Sequence, residues 1–322
     1  GDLSPVEQDR AIAPSPAGRR KVVLATSIAE TSLTIEGVRI VIDGGLMRVP
    51  RFSPRSGMTR LETVRVSQAS ADQRRGRAGR LEPGVCYRLW TEETQRGLLP
   101  FTPPEILDAD LAPLALELAA WGVADAASLP WLTPPPSASL ATARALLADL
   151  GAIDQAGAIT AHGRAMARLG QHPRLAHLVL KGRDMGHGRV AALLVAILGE
   201  RDFLRLPPGQ RDADLRHRVD IALSGKRDGT LRLIQEAARR LTQNQASRET
   251  PDISMTGALL ALAYPDRIGR RRAGTAGRYL LSGGRGAALP EGDPMGNEEF
   301  LVVAETDGST QDSRIFLAAP TT

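Results

Sequence analysis

The chain has 322 residues, 42% hydrophobic and 24% charged, enough for two to four packed units, and no apolar run is long enough to cross a bilayer. Its single cysteine, Cys86, excludes an internal disulfide and a cysteine-based zinc site, and fits a reducing cytoplasm. The net charge of +5 is unevenly placed: residues 1–100 hold 16 Lys and Arg against 11 Asp and Glu, the remaining 222 hold 25 of each, so any phosphate partner is expected at the N-terminal third.

Residues 21–26 form a short apolar run after a loop containing Pro14, Pro16 and Gly18, which predicts a parallel strand buried on both faces. Residues 38–43 predict a second strand. Just past the carboxyl end of the first, where open α/β sheets place their ligands, Thr26, Ser27, Thr31, Ser32 and Thr34 concentrate hydroxyl groups. Hydroxyls and free backbone N–H groups there can grip a phosphate chain without reading bases; the same composition also makes an ordinary cap and turn. Residues 46–52 and 58–66 flank Ser53-Pro54-Arg55-Ser56-Gly57, the pattern of a β-hairpin.

The octet Gln73-Arg74-Arg75-Gly76-Arg77-Ala78-Gly79-Arg80 follows Ser70, which with Gln73 makes an S-x-x-Q capping box and predicts a helix start. On a continuous helix Gln73, Arg77 and Arg80 share one face, at i, i+4 and i+7. Gly76 and Gly79 remove side-chain bulk between them. A fork of fixed positive charge suits the oxygens of a transferring phosphoryl group, and Arg keeps its proton. One Gln, four Arg and two spaced Gly in this order are too specific for a merely solvated basic run. Beyond the octet, residues 84–89 predict a buried strand that carries Cys86.

After Pro100 the pattern changes. Thr102-Pro103-Pro104 reads as a linker, and Leu111, Leu114 and Leu118 mark an amphipathic helix. A proline run, 134–136, leads to Ser139 as an expected N-cap, and the helix that follows ends at Gly151. A small hairpin turning at Gln155-Ala156-Gly157 completes a helices-plus-wing pattern. Residues from about 161 to 245 read as helices, one of them starting at Pro173. From Tyr264 onward short β-rich pieces alternate with Gly-rich turns, among them the basic stretches Arg270-Arg271-Arg272 and Gly283-Gly284-Arg285-Gly286. Aromatic residues are only 3% of the chain, so nucleic-acid binding is expected to be electrostatic rather than by stacking.

The octet resembles motif VI of superfamily 2 helicases, in its DEAH-box form. Ala25-Thr26-Ser27-Ile28-Ala29-Glu30-Thr31-Ser32-Leu33-Thr34-Ile35 resembles motif V, with Ser27 where Asn is usual. Val41-Ile42-Asp43-Gly44-Gly45 resembles the segment called Va, with Gly44 where Ser or Thr is commoner. Leu150-Gly151-Ala152-Ile153-Asp154 and His172-Pro173-Arg174-Leu175-Ala176 resemble the accessory region of the HrpB-type bacterial helicases. The resemblance implies a multidomain α/β plus α chain. Residues 1–100 would be a partial second RecA-like lobe, with a parallel sheet and a β-hairpin. Residues 101–165 would be a winged helix, 166–255 a ratchet-like helical bundle, and 256–322 the start of an OB-like β domain, cut before completion. It further implies that Gln73, Arg77 and Arg80 act on ATP, that Ser32 and Asp43 lie at the nucleotide, and that Thr26 and Ser27 touch nucleic-acid backbone. The hairpin arginines Arg51, Arg55 and Arg60 would touch it too.

No G-x-x-x-x-G-K-[ST] surrounds Lys21, Lys181 or Lys226, the only lysines, and no D-E-x-H follows. The chain opens on Gly1-Asp2-Leu3 without Met, and is expected to be a piece of a larger helicase whose first RecA-like lobe is needed in cis. ATP and Mg²⁺ would belong to the intact protein and bind this piece weakly, with no metal site of its own. RNA is the expected partner, and no membrane. The alternative is a non-catalytic nucleic-acid-binding module.

Overall fold

In the computed structural model the described residues are 5–15, 18–31, 35–53, 58–80, 82–200, 202–204, 206–207, 210–225, 229–242, 250–309 and 312–321. They fall into two units, Gly1–Phe52 with Thr59–Ala109, and Ser53–Met58 with Asp110–Thr322.

The first unit runs α1 (Pro5–Ile12), α2 (Ile28–Thr31), β1 (Ile40–Asp43), β2 (Leu46–Ser53), β3 (Met58–Arg65), α3 (Gln68–Arg75), β4 (Val85–Arg88) and α4 (Glu92–Arg96). β1 and β4 pair in parallel, from Ile40 opposite Val85 to Asp43 opposite Arg88. Parallel neighbours need a long crossover; here it is the β2–β3 hairpin followed by α3. The small core is Val66, Ala71 and Leu98, with Met47 and Trp90 against it. Residues 21–26 do not form the expected strand, and Val22 and Leu24 are 87% and 95% exposed. A strand buried on both faces needs a hydrogen-bonded neighbour and cover. Among the described residues β1 pairs only with β4, and Ile40, Ile42, Val85 and Tyr87 also face solvent.

α3 starts earlier than the capping box suggests. Ser67 is its N-cap, accepting from the Ser70 N–H at 3.1 Å, and Gly76 ends it. Past Gly76 the backbone tightens to three-residue bonds, Arg77 N–H to Arg74 O and Ala78 N–H to Arg75 O. Gln73, Arg77 and Arg80 therefore do not share a helical face. Gly84 closes this turn against β1: a Cβ there would stand 2.1 Å from Ala78 O and 2.6 Å from Arg39 O.

The second unit begins with α5 (Ala112–Ala120), whose first turn is capped by Asp110 accepting from the Ala112 N–H. α6 (Ser137–Asp149) starts at Ser137 with Pro136 as N-cap, so Ser139 lies inside the first turn rather than before it. The proline run sets the entry and needs no side-chain cap. Gly151, at φ 67°, turns the chain out, and an antiparallel Ile153–Ile159 bridge closes a small hairpin. Then come α7 (Ala161–Arg168), α8 (Pro173–Asp184), α9 (Gly188–Leu198), α10 (Leu215–Leu223), α11 (Gly229–Leu241) and α12 (Thr256–Ala263). α9 is apolar all round and buried from Val190 to Ile197, the centre of the largest core.

β5 (Ile268–Arg271), β6 (Arg278–Leu281), β7 (Gly286–Ala288), β8 (Phe300–Thr306) and β9 (Asp312–Thr321) form a closed barrel in the order β5-β6-β7-β9-β8. The expectation of a β segment cut short is corrected. Arg270 and Arg271, read as a basic turn, lie on β5, which pairs with both β6 and β8 and so seals the barrel. Gly286 likewise opens β7. Tyr279 fills the interior, its hydroxyl 2.8 Å from Met295 O. No helix among the described residues is long and apolar enough to cross a membrane.

Candidate functional site

A cleft of about 470 Å³ opens in the first unit. Its walls come from four places in the chain: Thr26 and Ser27 with the following α2, the end of β1 at Asp43, Arg48 and Thr63 on the hairpin, and Arg74, Arg77 and Arg80 in and after α3. Local structure explains each. Ala29 N–H bonds Thr26 O and Glu30 N–H bonds Ser27 O, so the two hydroxyl residues cap a single helical turn. Gly76 stops α3 and swings Arg77 and Arg80 out of the helical spiral into the cleft.

Arg74 is the hub. Its Nε donates to Glu30 Oε2 at 3.0 Å, and its Nη1 donates to Asp43 Oδ1 at 3.0 Å and to Leu46 O at 3.1 Å. The Asp43 side chain is 1% exposed, and its Oδ1 also accepts from the Gly45 N–H. Arg77 donates from Nη2 to the main-chain oxygen of Glu30. Four arginines thus outnumber two carboxylates in the lining, and Arg74 already faces both of those. A cleft so balanced suits an anion. On β4, burial first and Asp43 second push the Cys86 thiol pKa up, which disfavours the thiolate.

Of the expected site residues, Thr26, Ser27, Asp43, Arg77 and Arg80 line this one cleft. Gln73 is exposed on α3 and does not. Arg51 and Arg60 stay on the hairpin outside the lining, both paired to Glu62 and both half-exposed. Ser32 and Arg55 lie outside the described residues. Sequence reasoning missed Glu30, Arg48, Thr63 and Arg74. Glu30 and Arg74 sat inside the two motifs already singled out, but the helical face drawn through Gln73, Arg77 and Arg80 did not include Arg74.

Residues 1–82 match the helicase conserved C-terminal domain. The chain resembles RNA helicases, a DEAH/RHA helicase among them. It is 43% identical over 320 residues to the ATP-dependent RNA helicase HrpB of Escherichia coli K12, covering 99% of this chain and 38% of that protein. It is 40% identical over 222 residues to the ATP-dependent RNA helicase HrpA of the same organism, covering 67% of this chain and 17% of that one. The crystal structure of the E. coli DExH-box NTPase HrpB matches 100% of this chain and 38% of its own, with TM-score 0.84 and 42% identity. A second crystal structure, of the E. coli DEAH/RHA helicase HrpB, matches with TM-score 0.87 and 39% identity, covering 100% of this chain and 39% of its own. The chain therefore spans well under half the length of HrpB.

Proposed function

We propose that this chain is the C-terminal portion of an ATP-dependent RNA helicase, in which ATP hydrolysis drives movement along nucleic acid and its unwinding. The observation that carries the reading is the single cleft where Thr26 and Ser27 meet Arg77 and Arg80. The first pair is suited to a nucleic-acid backbone and the second to a triphosphate. Homology along the whole chain favours this over a non-catalytic binding module.

The lining fits a polyphosphate: fixed guanidinium charge is in excess, and both carboxylates are already bonded to Arg74. Bound ATP supplies the γ-phosphoryl group that is transferred to water. Arg77 and Arg80 hold its oxygens and stabilise the charge that develops there, as charge-assisted bonds in a partly dry cleft do. Gln73, exposed on α3 and outside this lining, is given no role at the nucleotide. Ser32 would link the nucleotide side to the nucleic-acid side. Asp43 acts by fixing Arg74 rather than by touching nucleotide. Mg²⁺ and the phosphate-cradling loop would come from a first RecA-like lobe, with residues 1–100 as the second lobe.

In the same reading α5 to α7 with the Ile153–Ile159 wing form a winged helix, residues 166–255 a ratchet-like bundle and the closed barrel an OB-like domain. RNA would be held through its phosphates, with Arg51 and Arg60 exchanging carboxylate partners for backbone and Arg55 as a further contact. A cytoplasmic location follows from the RNA substrate and the single cysteine. The test is Arg80→Ala in the intact polypeptide. Removing such an arginine costs ~10³–10⁵ in rate, so RNA-stimulated ATP turnover and unwinding should both disappear. Near-normal turnover would refute the assignment.

A further inference from the structure

Arg77 bonds a main-chain oxygen of a helix too short to hold itself in place. α2 is four residues, Ile28–Thr31. A single turn has no cooperative stability of its own, and its last carbonyls lack partners within the helix. Glu30 is tied at both ends. Its carboxylate receives Arg74 Nε at 3.0 Å and its carbonyl receives Arg77 Nη2. Arg74 is in turn anchored to the end of β1 through Asp43 Oδ1 and to the start of β2 through Leu46 O. The place of α2, and so of the oxygen that Arg77 uses, is therefore set from the end of β1 and the start of β2 through one guanidinium and one carboxylate. The two ends of this linkage are alike in exposure: the side chains of Arg74 and Glu30 are 16% and 15% exposed, which shields their bond from competing water.

We infer that Glu30 is a positioning residue for Arg77, with Arg74 as the strut that holds it, so that the turn starting at Thr26 and Ser27 fixes where the Arg77 guanidinium waits in the cleft. The inference rests on the helicase reading and deepens it. Glu30 touches neither nucleotide nor nucleic acid in this account; it acts through Arg77. The linkage also gives a physical route from a nucleic-acid contact at Thr26 and Ser27 to the arginine on the phosphate, because α2 begins one residue past that pair.

The experiment compares Glu30→Ala, Glu30→Gln and Arg80→Ala in the intact polypeptide, reading kcat and KM for RNA-stimulated ATP turnover, RNA affinity and the thermal midpoint. Glu30→Ala releases α2, and a misplacement near 1 Å costs on the order of 10²-fold in rate. The expected result is that fall in kcat with KM for ATP, RNA affinity and thermal midpoint close to the parent. Glu30→Gln keeps an acceptor for Arg74 and should retain most of the rate. Unchanged kcat in Glu30→Ala overturns the inference. So does a loss of rate, RNA affinity and thermal midpoint together, which marks a merely structural residue. Arg80→Ala separates the two levels. If it remains active the helicase reading fails, whereas an inactive Arg80→Ala beside a fully active Glu30→Ala sinks only the positioning role.

Discussion

The described part of residues 1–52 and 59–109 encloses a small apolar cluster of Val66, Ala71 and Leu98, and leaves Ile40, Ile42, Val85 and Tyr87 in solvent. The larger unit buries α9 along its length and closes a barrel around Tyr279, Leu301 and Ile315. Apolar burial at about 25 cal/mol per Å² therefore stabilises the larger unit far more. In the smaller one the geometry of the cleft is set by directed bonds, with Arg74 spanning Glu30, Asp43 and Leu46 and Arg88 pairing with Asp72. The difference teaches how a phosphate site can be ordered and still exchange partners. Hydrogen-bonded ions trade one oxygen for another at little net cost, while a packed core does not.

The strongest way to break this contrast is to remove one bond hub and one core side chain in parallel. Arg74→Ala strands the Asp43 carboxylate, whose side chain is 1% exposed. Loss of one partner of a buried pair costs about 3–5 kcal/mol. Amide exchange should rise across β1, β2 and α3, and stay unchanged in α9 and the barrel. Leu194→Ala, at a fully buried position of α9, should cost about 2–5 kcal/mol and show the opposite pattern. Equal loss of protection in both regions for either variant would erase the distinction.

A smaller effect sharpens it through pH. His162 Nε2 lies 3.0 Å from His177 Nδ1 in the larger unit. Burial first, then the neighbouring His162 and Lys181, push His177 down to about 4 from its ordinary 6.5. A base depressed in the folded state binds fewer protons there than in the unfolded chain once the pH drops below 6.5. Its stabilising contribution is complete above that value and is lost as the pH falls toward 4. With the ring only half-buried, solvent screening leaves about 1–2 kcal/mol. Urea titrations followed in the larger unit should show this decline between pH 7 and about 4, and His177→Gln should flatten it. A stability that holds level or rises over that interval contradicts the account.

What the sequence disclosed tracks where local chemistry decides the structure. The hairpin at Leu46–Ser53 and Met58–Arg65, the Pro173 start of α8 and the Gly151 exit from α6 were legible, because alternation, a fixed proline φ and a left-handed glycine are local signals. The barrel was only half legible. β5 and β7 are short and rich in Arg or Gly, and only long-range pairing with β8 and β9 makes them strands. Residues 21–26 failed in the opposite way, since an apolar run predicts burial but cannot name the neighbour that would provide it. In the cleft the octet announced the chemistry, while the break at Gly76 hid the geometry. Arg74 became the hub and Gln73 stayed outside.

A structure of the intact polypeptide with a nonhydrolysable ATP analogue and RNA tests the central claim most directly. The account predicts the guanidinium groups of Arg77 and Arg80 on the γ-phosphate oxygens at about 2.7–2.9 Å, the range of charge-assisted bonds. Finding both groups remote from the triphosphate, with that phosphate held by other residues, would contradict it.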